Sequence, residues 1–388
     1  MITLQTADNA LKSAYLDVVA EQLDQQVNPF LAKIKKTTEN VWGKDVRQVV
    51  HYGLNGGIGA GTETGNLPTA SGNDYDQISV TLKNLYGTIE ISDKAIRASE
   101  NNAGAFVNLL NAEMEGLIKS STFNLGRMLF GDGSGVIGYC IDGSTNGVAP
   151  LFSVQNFTEG MVVDFYSDGE PFTDAMGVKV LGVDRINKTI KLDLPKAIEV
   201  PMDAEIVIQG SRDQEITGLK AIFNVNKNLY GLSREEHSWL TPYVAESVGD
   251  ITEMEIQKAI DFLQDSYGST VDIIICSSGV KRALQEHLST YKRNLDVMEL
   301  KGGVKAMSFN GIPVIADRFC PQGEMYLLNS KDFALHQLCD WKWLEGEDGK
   351  VIRQVADKPI FKATLVKYAE LICSRPCGQA LLRDITEK

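Results

Sequence analysis

The sequence predicts an α+β fold, and three patterns predict it. Residues 103–130 carry apolar side chains in steps of three and four; two alternating stretches, 46–54 and 77–92, flank a glycine-rich run; and helical and strand-like segments alternate from residue 250 onward. At 388 residues the chain is long for a single core, which predicts several parts. Hydrophobic residues make up 43% and charged residues 23%, the balance of an ordinary globular protein, so neither disorder nor a fibrous repeat is indicated.

Taken in order, residues 1–45 form an arm. Leu11, Tyr15, Val18, Val19 and Leu23 recur at helical spacing between Asp8 and Gln26, with Asp8 placed to cap the first turn. Beyond Pro29 the arm has little core of its own, so its apolar face needs a partner. Val46–Leu54 and Gln77–Ser92 are expected strands of a long hairpin over 46–92, the second with Ile78, Val80 and Leu82 on one face and Ile89 and Ile91 later. Asn55 to Pro68 between them is too rich in glycine and polar residues to bury a core.

The spacing of Phe106, Leu110, Met114, Leu117, Leu125 and Met128 predicts a helix over 103–130, roughly 40 Å long, weakened by Gly104, Gly116 and Gly126 and stopped at Gly131–Gly135. It dominates a unit at 93–150. The period then shortens. Met161–Tyr166, Gly177–Val183, Thr189–Leu194 and Glu205–Ile208 are strand-like, and Ile190, Leu192 and Leu194 alternate with Lys191 and Asp193, predicting an all-β insertion at 151–210, near the lower size for independent folding. Residues 211–249 return to the earlier unit. An α/β unit follows at 250–330: Asp250 and Glu253 are spaced as a capping box for a helix to about Tyr267, Val271–Ile275 reads as a buried strand, and Ser277 or Ser278 caps a helix at Val280–Leu288. Ile312–Ala316, Met325–Leu328, Phe333–Leu338 and Thr364–Cys373 are further expected strands, the last of them in the closing segment 331–388.

Motifs of chemistry are sparse. Gly57, Gly59 and Gly61 follow a strand, as in a dinucleotide-binding turn, but Gly65-Asn66-Leu67-Pro68 supplies no helix N-terminus for a pyrophosphate, and no phosphate loop with Gly-Lys-Ser or Gly-Lys-Thr occurs. His51, His237, His287 and His336 lie far apart, and Cys373 and Cys377 lack a second ligand pair for zinc. Ser134 is outside the Gly-x-Ser-x-Gly register, and the adjacent Glu235 and Glu236 diverge rather than converge on a substrate. Neither a catalytic residue nor a cofactor or metal site is assigned. The sequons at Asn156 and Asn187 have no consequence without a secretory signal.

Net charge is -13, which argues against a DNA-reading protein, since phosphate contacts want a basic face. An acidic wall repels packed DNA only within a Debye length of about 8 Å, which suits a container. The six cysteines are scattered and Met1–Leu11 lacks a basic-then-apolar pattern, so reduced thiols and cytoplasmic synthesis are expected. No apolar run approaches the roughly 18 residues that cross a bilayer, so no membrane partner is expected.

The order of parts resembles the major capsid proteins of tailed bacteriophages, whose fold encapsulins share. Nearly the whole chain takes part. The resemblance is carried by Asn55–Pro68, by Lys83-Asn84-Leu85-Tyr86-Gly87 leading to Ile91-Ser92-Asp93-Lys94, by Gly231-Leu232-Ser233 with Trp239-Leu240-Thr241-Pro242, and by Gly311-Ile312-Pro313-Val314-Ile315-Ala316-Asp317. It implies an N-terminal arm, an extended hairpin loop, a peripheral domain around the spine helix, an axial α/β domain and an inserted β domain. It further implies a homo-oligomer of pentamers and hexamers forming an icosahedral virion shell, which encloses double-stranded DNA without sequence-specific binding. The tip residues Gly57, Gly59, Gly61, Glu63, Leu67 and Pro68 are then candidate contacts between subunits, glycine giving the freedom that inequivalent positions require.

Two departures refine this. Some relatives weld their shells by an isopeptide bond from an extended-loop lysine to an asparagine of a neighbour, but no lysine lies between Asp45 and Leu82 and no asparagine follows Asn329, so a non-covalent shell is expected. Some begin with a long, charged, cleaved assembly segment; this chain starts at the arm, so a separate scaffolding protein and a portal are expected partners. The alternatives are an encapsulin-type compartment around an enzyme cargo and an α/β enzyme using the region Val271–Ser278.

Overall fold

A computed structural model describes residues 28–53, 55–94, 103–291, 297–299, 305–346 and 349–388. The amphipathic stretch 8–26 lies outside them. A short helix α1 (Pro29–Lys33) opens with proline in its first turn, where no amide is needed, and buries Phe30 and Leu31. Strands β1 (Lys35–Thr37), β2 (Val41–Trp42), β3 (Asp45–His51), β4 (Tyr75–Thr81) and β5 (Lys83–Ser92) follow. β3 and β4 form the expected antiparallel hairpin, Val46 opposite Val80. The stretch Gln77–Ser92 is not one strand, however. It breaks at the buried Leu82, whose amide donates to Lys44 O at 2.8 Å, and β5 pairs elsewhere.

Helix α2 (Ala103–Leu129) is the helix expected over 103–130, 27 residues long and so roughly 40 Å. Met114, Ile118, Leu125 and Met128 are buried along one side. Gly126, a weak point by propensity, is where another segment approaches: a Cβ there would stand 1.9 Å from Asn28 Oδ1 and 2.6 Å from the ring of Phe319. Close packing therefore offsets the helix penalty of about 1 kcal/mol.

The next seven strands are β6 (Val136–Tyr139), β7 (Val148–Pro150), β8 (Val162–Ser167), β9 (Glu170–Pro171), β10 (Val178–Asp184), β11 (Thr189–Leu192) and β12 (Glu205–Ile208). They pair in the order β6-β12-β8-β10-β11-β7, with β9 on β8. An antiparallel bridge between Cys140 and Leu151, with Ile141 N donating to Pro150 O at 2.9 Å, joins the two ends, so the sheet closes into a barrel. Closure removes its edges. Its core, which includes Phe157, Phe165, Val180, Ile190 and Ile206, is a separate cluster from the rest of the molecule. Whereas 151–210 covers most of this sheet, β6 and β7 precede it; at four and three residues they are too short to show a period. The entrance and exit meet where Asp213 N donates to Ser134 O at 2.9 Å. Gly135 (φ +81°) is forced there, because a Cβ would lie 2.4 Å from Ser211 O.

The chain continues through α3 (Leu219–Ile222), β13 (Tyr243–Ala245), α4 (Glu253–Tyr267), β14 (Ile273–Cys276), α5 (Ser278–Tyr291), β15 (Val297–Glu299), β16 (Lys305–Phe309), β17 (Ile312–Ala316), β18 (Met325–Leu328), β19 (Phe333–Trp343), β20 (Arg353–Gln354), β21 (Ile360–Cys373) and β22 (Ala380–Leu382). The cap of α4 is Thr252, whose hydroxyl accepts from Glu255 N at 3.3 Å, and not Asp250; Thr252 is the extended residue directly before the helix. Ser277 caps α5, accepting from Val280 N at 3.3 Å.

Seven strands form a mixed sheet, β13-β22-β18-β14-β17-β16-β15. Alternate residues of β14 serve two cores: Ile274 and Cys276 pack with Ile256 and Leu263 of α4 and Leu284 of α5, while Ile273 and Ile275 join the main core with Phe30, Leu125 and Phe223. Burial on both faces explains the unbroken apolar run. A second sheet is β1-β19-β21-β20 with β5 also on β21, and α2 packs against β5; Ile360 to Ala369 of β21 pair with β5. The chain is thus a mixed helix-and-sheet protein with a barrel inserted between α2 and α3.

Candidate intersubunit surface

The hairpin β3–β4 alternates as its sequence requires. Val46, Val50 and Ile78 are buried in the main core, while Arg47, Val49, His51, Tyr75 and Gln77 face outward. Two contacts clamp its far end to the 237–239 segment. Tyr52 stacks on Trp239, ring centroids 5.9 Å apart and 16° from parallel, and His237 Nδ1 lies 2.9 Å from Asp76 Oδ2. Near its other end Thr81 Oγ1 donates to Asp45 Oδ1 at 2.9 Å.

Beyond the clamp the two limbs leave the ladder but stay side by side. A Cβ at Gly57 would lie 3.3 Å from Ser71 N, at Gly59 3.2 Å from Pro68 Cγ, and at Gly61 3.8 Å from Asn66 O. The turn closes at Thr62–Gly65, with Gly65 N donating to Thr62 O at 3.1 Å. Residues 55–73 thus make a narrow finger whose glycines let the limbs touch. All six tip residues singled out from sequence are on it. Gly57 is half-buried; Gly59, Gly61, Glu63, Leu67 and Pro68 are exposed, Leu67 90% so, and Ile58 beside them is equally open. Sequence patterning missed the outward hairpin residues Val49 and Tyr75, and Trp42 of the adjoining β2, each more than half exposed. For Val49 and Tyr75 the signal was the same period of two that marked the inward face. The stacking of Tyr52 on Trp239, nearly two hundred positions apart, left no local signal.

The other polar candidates occupy structural places. His336 is buried in β19 with Nδ1 3.0 Å from Glu39 O, and burial lowers its pKa. Cys373 and Cys377 are buried free thiols whose pKa values burial pushes up. Ser134 donates to Asp132 in the turn after α2, Glu235 and Glu236 are exposed, and Ser277, besides capping α5, donates to Glu387. Among the described residues no group of three or more His, Cys, Asp or Glu is placed to hold a metal ion, and no helix is long and apolar enough to cross a membrane.

Neither a family model nor a curated protein sequence matches the chain. Solved structures do. A chain of the cyanophage A-1(L) capsid asymmetric unit superimposes with a TM-score of 0.56 at 13% identity, covering 93% of both chains. The capsid of a native gene transfer agent particle gives 0.48 at 12% identity over 95% of this chain and 91% of that one, and the SrpI encapsulin complex of Synechococcus elongatus 0.48 at 10% over 93% and 89%. The chain therefore has the fold of the cyanophage capsid chain across nearly its full length.

Proposed function

We propose that this chain is the major capsid protein of a tailed bacteriophage, assembling as pentamers and hexamers into an icosahedral shell around double-stranded DNA. The observation that carries this is the fold shared with the cyanophage capsid chain over 93% of both chains. In these terms 46–92 is the extended loop, α2 the spine of a peripheral domain, 250–330 the axial domain, and the barrel an insertion into the peripheral domain. The work is mechanical. The clamped hairpin holds the finger out, and a neighbouring copy buries Ile58, Leu67, Val49 and Trp42 at roughly 25 cal/mol for each Å² of apolar surface covered.

The net charge of -13 supports a wall that encloses DNA without gripping it. With no lysine between Asp45 and Leu82, copies are held by non-covalent contacts, while a separate scaffolding protein and a portal set size and entry. Replacing 55–73 by a short Gly-Ser link tests the finger. The expected result is a folded subunit with native circular dichroism that no longer builds particles; particle yield equal to that of the parent chain would overturn this role. The contents of particles isolated from the host, DNA or a cargo enzyme, separate a virion from a compartment.

A further inference from the structure

Asn-Gly occurs three times, at 55–56, 146–147 and 310–311. A glycine after asparagine leaves its backbone nitrogen uncrowded, able to approach the asparagine Cγ if the main chain can turn. Two of the three are held. Asn146 (φ 53°) and Gly147 (φ 76°) form a two-residue turn closed by Thr145 N to Val148 O at 2.9 Å and the reverse bond at 3.0 Å. Asn310 (φ 50°) and Gly311 (φ 83°) make the same kind of turn between β16 and β17, with Asn310 Nδ2 donating to Gln257 Oε1 at 3.0 Å. Ring closure at either would break a strand ladder. Asn55 is outside any ladder and exposed, and Gly57 N donates to its Oδ1 at 2.8 Å. That donor polarises the side-chain amide and faces the oxygen on which negative charge develops when Cγ is attacked.

We propose that Asn55 is a self-modification site in the free subunit. The Gly56 nitrogen bonds to Cγ of Asn55, the Cγ–Nδ2 bond breaks, and Nδ2 departs as ammonia with the proton from Gly56. Water then adds to either carbonyl of the cyclic imide, opening it to aspartate or isoaspartate. The product brings one more negative charge to the root of the finger, a stretch that already carries Asp74 and Asp76, and isoaspartate also reroutes the main chain through the former side chain. A neighbour lying on the finger would hold this backbone still, so conversion marks copies never built into a shell; this last clause rests on the proposed function.

The purified full chain, held as free subunit in mildly alkaline buffer, is sampled over time by peptide mass mapping with isoaspartate-selective methylation. Asn55 is expected to convert roughly an order of magnitude faster than Asn146 and Asn310, with isoaspartate the larger product. Gly56→Ala is expected to slow it by a similar factor; the added Cβ meets only the Ser71 side chain, at 3.3 Å, so the fold is retained. Equal conversion at the three sites, or least at Asn55, overturns the proposal. In assembled shells conversion at Asn55 is expected to fall well below that of the free chain. Equal rates in shell and subunit overturn protection by assembly while leaving the chemistry, whereas failure to obtain shells counts against the proposed function instead.

Discussion

The guanidinium of Arg127, in the last turn of α2, is paired with the carboxylate of Glu215, and the two side chains are only 4% and 2% exposed. Arg127 also donates twice to Asn124 Oδ1, at 3.1 and 2.7 Å. Glu215 lies just past the barrel's exit, so the pair ties the spine to the root of the insertion. Removing one partner leaves the other charge buried: Glu215→Gln is expected to destabilise the subunit by roughly 3–5 kcal/mol, and Arg127→Met with Glu215→Leu by less than that. Urea unfolding of the chain checks both; a double-variant loss as large as or larger than that of Glu215→Gln would contradict the assignment of the cost to an unpaired buried charge.

Lys367, fully buried in β21, donates to Gln337 Oε1 at 2.7 Å and to Asp340, and sits 5.8 Å from the centre of the Trp341 ring. Burial pushes the Asp340 carboxyl up, but the charge and hydrogen bond of Lys367, with Lys36 behind, bring it down to about 2. A folded pKa below the unfolded value of about 3.9 contributes stability above pH ~4 that is lost as pH falls toward 2. Asp340→Asn is expected to flatten that acid limb and to lower stability at neutral pH, where Lys367 loses a counter-charge. Denaturation midpoints across the acid range would show it.

Glu370 works with the opposite sign. It is buried and accepts from Thr217 N at 2.6 Å and Leu371 N at 3.1 Å, yet burial outweighs these bonds and raises its pKa to about 7. The folded state therefore binds the proton more tightly than the unfolded one, and stability falls as pH rises from about 4.3 through 7. Asp317, buried and pushed up to about 6, adds to the same slope. Glu370→Gln keeps an acceptor for Thr217 and is expected to lessen the decline, by a pH-dependent contribution on the order of 3 kcal/mol. An unchanged pH profile would contradict the assignment.

Excision of the barrel separates two ways of cutting the chain. Removing 151–210 strips β6 and β7 of their ladder partners β12 and β11 and is expected to give aggregated protein. Removing 135–212 behind a short link joins ends that already share the Ser134–Asp213 hydrogen bond, and the remainder is expected to fold. Solubility and thermal unfolding of the two deletions decide it, and like behaviour of both would contradict the closed barrel.

Local pattern made some of this visible in advance. The helix over 103–130 and the alternation of Ile190 and Leu192 follow from periods that report which way neighbouring side chains face, and the continuous apolar run Val271–Ile275 marked a buried strand, observed at Ile273–Cys276. What escaped was set by distant partners. Leu82 separates two strands because the residues on its two sides pair with different partners, 75–81 with β3 and 83–92 with β21, and the barrel closes through Cys140 and Leu151, outside any periodic run. Gly126 is unfavourable in a helix taken alone, and only the fold brings Asn28 against it. At the finger the glycines stood out in the sequence, while the clamp of Tyr52 on Trp239 depends on the fold alone.

Negative-stain electron microscopy of the chain, expressed alone and with the genes beside its own, tests the central claim most directly. Closed shells or tubular polyheads are predicted, with a single band in denaturing gels as the mark of non-covalent contacts between copies. A discrete monomer or dimer under every condition would contradict the account.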